Sequence, residues 1–338
     1  MALRTAALPL ASDPHPQTTA SSSIISVRNL LHRYETRVAL DGVAFEVQRA
    51  ELFGLLGPNG SGKTTMFRIL STLMVPTAGR AVIAGFDVAS EPSQLRRQIG
   101  VVFQSQSIDV KLTAYENLMH QGHLYGLRGK ILRSRIHEML SHVGLADRAR
   151  EKAETFSGGM QRRLELAKGL LHHPSVLLLD EPTTGLDPGA RIDLWRYLQI
   201  LRDEEKVTVI VTTHLMDEAN KCDRLAFLNE GKLVALGTPS DLKEEIGGDV
   251  IVLEAKDAEA LAEKLSMRFN IATQVLQGQV RIEREQGHRF ITEIVEAFPG
   301  EVDSVSVSKP SLEDVFIRRT GHRFWTESAL SHSESEKS

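Results

Sequence analysis

Leu52-Phe53-Gly54-Leu55-Leu56-Gly57-Pro58-Asn59-Gly60-Ser61-Gly62-Lys63-Thr64-Thr65 is the stretch that decides the fold. Residues 52–56 are a short apolar run that reads as a buried strand, and residues 65–70 read as a helix start. Between them, Gly57 to Thr64 fits the template G-x-x-x-x-G-K-T in the strand-then-helix setting that phosphate binding needs. The glycines let the backbone curl so that successive N–H groups point inward at a polyphosphate. The helix N-terminus adds its partial positive charge. Lys63 can reach the β- and γ-phosphates of a bound triphosphate, and the Thr64 hydroxyl can ligate Mg²⁺.

Working outward, residues 24–47 alternate as strands do, with Val43, Phe45 and Val47 on one face. Tyr34 is expected on a loop between two strands. An aromatic there can stack on a nucleobase or pack against the sheet, and position alone favours packing. Residues 99–103 form another apolar strand, with Gln104 at its carboxyl end. Thr113-Ala114-Tyr115-Glu116 is a capping box that opens a helix running to about Leu127. A second helical pattern follows through Ile131, Ile136, Met139, Leu140 and Val143. Residues 113–157 therefore read as an all-helical insert.

Ser157-Gly158-Gly159 precedes a helical run and makes a second anion-receptive N-terminus, or simply a cap with a flexible entry. Val176-Leu177-Leu178-Leu179 has no alternation, as expected of a parallel strand covered on both faces. It ends in Asp180-Glu181, and two carboxylates at a buried strand end are costly unless a cation or a reaction uses them. A turn-rich loop then carries Asp187. Residues 207–211 read as a further strand, with His214 just past its end. Ligands of open parallel sheets sit outside the carboxyl ends of the strands. The phosphate loop, Gln104, Asp180-Glu181 and His214 each follow a different strand at that end. Their convergence predicts triphosphate hydrolysis.

Composition narrows the partners. A net charge of -4 leaves no basic excess to neutralise nucleic-acid phosphates, so no nucleic-acid partner is expected. The single cysteine, Cys222, excludes an internal disulfide, fits a reducing compartment and reads as a small core residue. No apolar run approaches the roughly 18–20 residues of a membrane span. Residues 1–22, rich in Ala, Ser, Thr and Pro, read as a disordered tail, with a cleaved targeting peptide as the alternative that Asp13 and a lone Arg4 weaken. Residues 322–338 read as a polar tail.

The ordered motifs from residue 24 to 242 closely resemble the ATP-binding subunits of ABC transporters. In that resemblance Gln104 is the Q-loop glutamine, Ser157-Gly158-Gly159-Met160-Gln161 the signature, residues 176–181 the Walker B strand, Gly185-Leu186-Asp187 the D-loop and His214 the switch histidine. Phe156 and Met160 replace the first and last residues of the commonest signature, Leu-Ser-Gly-Gly-Gln. That variant, followed by Arg162-Arg163-Leu164, is similar to the exporters of drugs, polysaccharides and lipids related to daunorubicin resistance and nodulation export.

The resemblance implies an α/β fold, a P-loop NTPase of ABC type with a helical subdomain, plus a small C-terminal α+β domain. The expected limits are 23–245 for the ATP-binding domain, about 110–157 for its helical subdomain and 248–321 for the C-terminal domain. It also shifts Tyr34 to adenine stacking. It implies that backbone amides of Gly60, Gly62, Lys63 and Thr64 hold the β- and γ-phosphates, with Thr65 near the α-phosphate. Gly57, Pro58, Asn59 and Ser61 complete that loop. Thr64, Asp180 and Gln104 would hold Mg²⁺, Glu181 would act as general base and His214 would orient the attacking water. Alternation along the strand is expected to separate Asp180 from Glu181.

Ser157, Gly158, Gly159 and Asp187 would serve the ATP of a second subunit, so a homodimer or paired homologue is implied, together with a separate transmembrane permease. The implied location is cytoplasmic, peripheral on the inner face of the cell membrane. Two rival readings exist. A soluble ABC ATPase of translation or DNA repair usually carries two such domains or a coiled-coil insertion, which this chain lacks. A non-hydrolysing module would not need Lys63, Asp180, Glu181 and His214 together.

Beyond Gly247 the order strand–helix–strand–strand–helix–strand suggests a ferredoxin-like unit. Residues 311–316 then open a last short helix. A regulatory, dimer-supporting or merely stabilising role is open.

Overall fold

The computed structural model describes residues 23–324, so the expectations for the tail at 1–22 and for residues 325–338 lie outside the described residues. In chain order the first elements are Ser23–Tyr34 (β1), Arg37–Gln48 (β2), Leu52–Leu56 (β3), Lys63–Leu70 (α1), Ala78–Ile83 (β4) and Phe86–Asp87 (β5). Pro92–Leu95 (α2), Ile99–Val102 (β6), Ala114–Leu124 (α3), Gly129–His142 (α4) and Gly158–Leu170 (α5) follow. Val176–Asp180 (β7), Pro188–Asp203 (α6), Thr208–Thr213 (β8), Met216–Ala219 (α7), Arg224–Asn229 (β9), Lys232–Gly237 (β10) and Pro239–Glu244 (α8) complete the larger part. The rest is Asp249–Glu254 (β11), Ala258–Phe269 (α9), Gln274–Leu276 (β12), Gln279–Arg284 (β13), Gly287–Ala297 (α10), Ser304–Ser308 (β14) and Leu312–Thr320 (α11).

The organising sheet has the order β10-β9-β3-β8-β7-β6, parallel throughout except at the β10 edge. Every residue of β3, β7 and β8 is buried. That explains why β3 and residues 176–179 of β7 read as unbroken runs rather than alternating ones. Their pleat still divides two cores. Phe53, Leu55, Leu178 and Ile210 face α1 and the antiparallel sheet β2-β1-β4-β5. Leu177, Leu179, Val209 and Val211 face the other way, onto α5, α6 and the helical segment.

The helical segment is present as expected, with the Thr113–Glu116 capping box formed at the start of α3. That helix ends at Leu124 rather than Leu127, because Gly126 takes φ +78° and turns the chain. Cys222 is a buried free cysteine.

The third sheet, β12-β13-β11-β14, is antiparallel and realises the expected element order. Ile251, Leu253, Val280 and Ile282 point to α9 and α10. Val250 and Val252 point the other way, towards α11. That last helix packs Leu312, Val315 and Phe316 into one cluster with Leu56, Leu225, Phe227 and Leu242 of the larger part. A buried ion pair, Arg281 Nη1 to Asp314 Oδ1 at 2.5 Å, pins α11 to β13. The polar tail expected from residue 322 is packed at its start. Phe324 is buried against Phe316, and His322 Nε2 lies 3.3 Å from Asn229 Nδ2.

Candidate active site

The register of the parallel strands brings the separate loops to one rim. Leu56 pairs with Thr213, Asp180 with Thr212 and Val102 with Leu179, so the chain leaves β3, β6, β7 and β8 at the same end. A cleft of about 440 Å³ opens there. Its walls are Tyr34, Arg37, Ala39, Asn59, Gly60, Gly62, Lys63, Thr64, Thr65, Gln104, Glu181, Thr184 and His214.

The phosphate loop can be built only from glycine at key points. Gly62, at the N-cap of α1, has φ +106°, and a Cβ there would meet Ala39 O at 2.6 Å. A Cβ on Gly57 would stand 2.3 Å from Leu228 O. Behind the loop, Gly231 N donates to Ser61 O at 3.0 Å, and Ser61 is buried. Lys63 folds under its own loop, donating from Nζ to Gly57 O at 2.6 Å and Pro58 O at 3.0 Å. Burial pushes its pKa down, while the negative charges of Glu181 and Asp180 oppose that shift.

Glu181 is the hub of the rim. His214 Nδ1 lies 3.0 Å from its Oε1, while Gln104 Nε2 and Thr184 Oγ1 each lie 3.3 Å from its Oε2. An ionised carboxylate only accepts, so the ring proton of His214 sits on Nδ1. The His214 hydrogen bond holds the Glu181 pKa below its ordinary value despite burial. The expected strand alternation does not place this residue. Strand β7 ends at Asp180, and Glu181 has φ +43°, a left-handed conformation uncommon for a non-glycine residue. Its backbone N–H donates to Thr212 O and Oγ1, at 3.2 and 3.0 Å, which over-determines that turn.

Asp180 stands behind the cleft rather than on its wall. It is 8% exposed, and its Oδ1 accepts from Thr212 Oγ1 at 2.5 Å. Burial raises its pKa, Glu181 adds to the shift and Thr212 opposes it. A hard cation nearby would favour the charged form. Among the described residues no group of three or more His, Cys, Asp or Glu side chains could hold a metal by itself. One carboxylate, one hydroxyl and one amide suit Mg²⁺, which keeps several waters and takes its other oxygens from substrate phosphates.

Tyr34 ends β1 rather than lying on a loop, is 40% exposed and has Oη 3.4 Å from Thr65 Oγ1. The signature and D-loop residues are not on the cleft wall. Ser157 caps α5 by accepting from Met160 N at 3.3 Å, and Asp187 caps α6 by accepting from Ala190 N at 2.9 Å. These two helix starts abut, since a Cβ on Gly159 would meet Ala190 Cβ at 2.8 Å. Ser157, Gly158 and Asp187 are exposed.

Sequence reasoning missed four supporting groups. Arg37 lines the cleft and donates to Gly60 O at 3.0 Å. Thr184 and Thr212 hold the carboxylates. Glu218, 2% exposed, accepts from Thr213 Oγ1 at 2.6 Å and from Thr183 Oγ1, fastening the loop after Glu181 to the strand end before His214. The one available signal was at Thr212, a polar residue near the end of an apolar strand, whose partners Glu181 and Asp180 are 31 and 32 residues away.

The chain matches the family model for ABC transporter over residues 40–184 and that for the C-terminal domain of DrrA1-3-like ATP-binding proteins over 237–320. It is 37% identical over 328 residues to the daunorubicin/doxorubicin resistance ATP-binding protein DrrA of Streptomyces peucetius, covering 94% of this chain and 99% of that one. Linearmycin resistance ATP-binding protein LnrL of Bacillus subtilis is 34% identical over 307 residues, covering 88% of this chain and 98% of the relative. The dimeric post-hydrolysis state of the ATP-binding cassette MJ0796, bound to ADP and Pi, superposes with a TM-score of 0.58 at 30% identity, covering 63% of this chain and 98% of that chain.

Proposed function

The chain belongs to the ATP-binding subunits of ABC transporters, and from that premise we propose how its residues hydrolyse ATP and drive a permease. It is an ATPase that powers transport through a separate membrane protein, carrying a DrrA-like C-terminal domain. The observation that carries the residue-level reading is the contact of Glu181 with both His214 and Gln104 on the wall of the phosphate-loop cleft.

The backbone amides of Gly60, Gly62, Lys63 and Thr64 receive the β- and γ-phosphates, with Thr65 near the α-phosphate. Lys63 leaves its two carbonyls for phosphate oxygens, which supports its charged form. Tyr34 stacks on adenine with its exposed ring. Thr64 and Gln104, with Asp180 through water, would hold Mg²⁺, whose chemistry is to neutralise phosphate charge. Glu181, kept ionised by His214, takes the proton of the attacking water, and His214 orients that water against the γ-phosphate.

Ser157, Gly158, Gly159 and Asp187 lie off their own cleft, which supports a head-to-tail homodimer in which each copy completes the other's site. Binding then favours the closed pair and hydrolysis reopens it. A groove of about 260 Å³, with Leu73, Arg96, Gln121 and Tyr125 on its walls, lies between the sheet and α3 and suits the permease. That docking puts the subunit on the inner face of the membrane. The resistance named for the relatives supports outward transport.

Phosphate release from MgATP, lost on chelation, tests the hydrolysis. Co-purification with a multispanning protein in detergent tests the partnership. Co-sedimentation with ribosomes instead would favour the soluble-factor alternative.

A further inference from the structure

On α5, one turn beyond Ser157-Gly158-Gly159, stands a buried guanidinium. Arg162 is 7% exposed and spends its donors on backbone carbonyls. Nε donates to Pro182 O at 2.8 Å, Nη1 to Phe103 O at 2.7 Å and Nη2 to Asp180 O at 3.3 Å. Asp180 and Pro182 flank Glu181 in the chain, and Phe103 immediately precedes Gln104. Nη1 also donates to Glu165 Oε2 at 2.7 Å, and Glu165 Oε1 accepts from Ser107 N at 2.6 Å, beyond Gln104. One cation on one helix thus grips the backbone on both sides of Glu181 and, with Glu165, on both sides of Gln104.

Only arginine fits this arrangement. Its planar fork presents several donors in fixed directions, whereas a lysine ammonium is a compact point charge. A buried ion pair gives little net stability over apolar residues of the same volume. Its hydrogen-bonding to both catalytic loops therefore points beyond stability.

We propose that Arg162 is a positioning residue that ties the placement of Glu181 and Gln104 to the orientation of the signature helix. The inference rests on the roles proposed above for Glu181, Gln104 and the signature. When Ser157 and Gly159 of one copy engage the other copy's ATP, α5 moves as a rigid rod. The guanidinium transmits that movement to the catalytic loops of its own copy through a contiguous hydrogen-bonded path. Occupancy of one site thereby sets the catalytic geometry of the other.

The test is Arg162→Lys in the full chain, alongside Ser157→Ala and the double variant. The expected Arg162→Lys protein melts cooperatively and keeps its ADP affinity and KM. Its kcat falls about ten-fold or more, as displaced catalytic groups require. The kcat losses of Ser157→Ala and Arg162→Lys are expected to be non-additive, because both act through α5. An unchanged kcat overturns the proposal, as do additive losses or a parallel loss of ADP affinity. If Arg162→Lys fails to fold, Glu165→Gln keeps the guanidinium and the side-chain shape and must show the same kcat-selective loss. Full turnover by that folded variant overturns the proposal. Glu181→Gln run in parallel separates the two layers. If it turns over normally, the reading of the site fails. If it is inactive while Arg162→Lys is fully active, only the coupling fails.

Discussion

Nδ1 of His214 meets Oε1 of Glu181 at 3.0 Å, joining the loops that leave two neighbouring parallel strands. The contact holds the Glu181 pKa below its ordinary value. A carboxylate lowered in the folded state adds stability above its unfolded pKa, and that stability is lost as pH falls through the folded value. Glu181→Gln is therefore expected to be less stable than the wild type at about pH 6, with the deficit narrowing as pH falls below the ordinary glutamate value of about 4.3. Urea midpoints across that range check the sign. A deficit that grows in acid contradicts it.

Lys63 carries the next expectation. Removing it takes a buried ammonium from the phosphates, so Lys63→Ala should lose about 2 kcal/mol or more of ATP binding, roughly thirty-fold in Kd. Undiminished affinity by calorimetry contradicts the assignment. Burial lowers the pKa of Lys63, and a bound triphosphate restores the charged form. ATP binding just below the ordinary lysine pKa of about 10.4 should therefore take up protons, seen as a dependence of the binding heat on buffer ionisation.

Ser157 and Asp187 cap helices away from their own cleft, so two different defects should complement each other. A mixture of Lys63→Ala and Ser157→Ala subunits contains heterodimers in which one composite site has both residues intact. ATPase activity on mixing should exceed that of either impaired protein alone, yet stay well below half the wild-type rate, because the catalytic loops of the intact site belong to the copy whose α5 faces the defective one. A silent mixture that nevertheless forms heterodimers contradicts the head-to-tail arrangement.

Much of this site was readable because its signals are local. The phosphate loop announces itself by glycines whose backbone no other residue can adopt, and β7 by an apolar run ending in carboxylates. What stayed hidden depends on remote packing. The left-handed turn at Glu181 is held by Thr212, 31 residues away, and only the register of β7 with β8 brings them together. Arg162 read as part of a motif, but its grip on Phe103 spans 59 residues. In the C-terminal unit, residues 250–253 are apolar throughout, and the structure turns Ile251 and Leu253 to one face and Val250 and Val252 to the other. Nothing in that pattern said that α11 would turn back to cover the second face.

That returning helix gives a stability expectation. Asp314 pairs with Arg281, which is buried, and also closes the capping box with Ser311. Asp314→Ala leaves the buried Arg281 with only Glu283, 3.7 Å away, to balance it and should cost about 3 kcal/mol. Replacing both residues by methionine should recover most of that, short of the roughly 1 kcal/mol of the cap. Chemical denaturation of the three proteins tests it. Equal stability of Asp314→Ala and wild type contradicts the pairing.

The central claim is that one cleft on the rim of the sheet binds MgATP and that Glu181 activates the water which cleaves it. Single-turnover measurement on Glu181→Gln, with bound ATP and released phosphate quantified in the same sample, addresses it directly. The expected result is ATP held as tightly as by the wild type, with phosphate release slowed by about 10²-fold or more. Phosphate release at the wild-type rate from that variant would contradict the account.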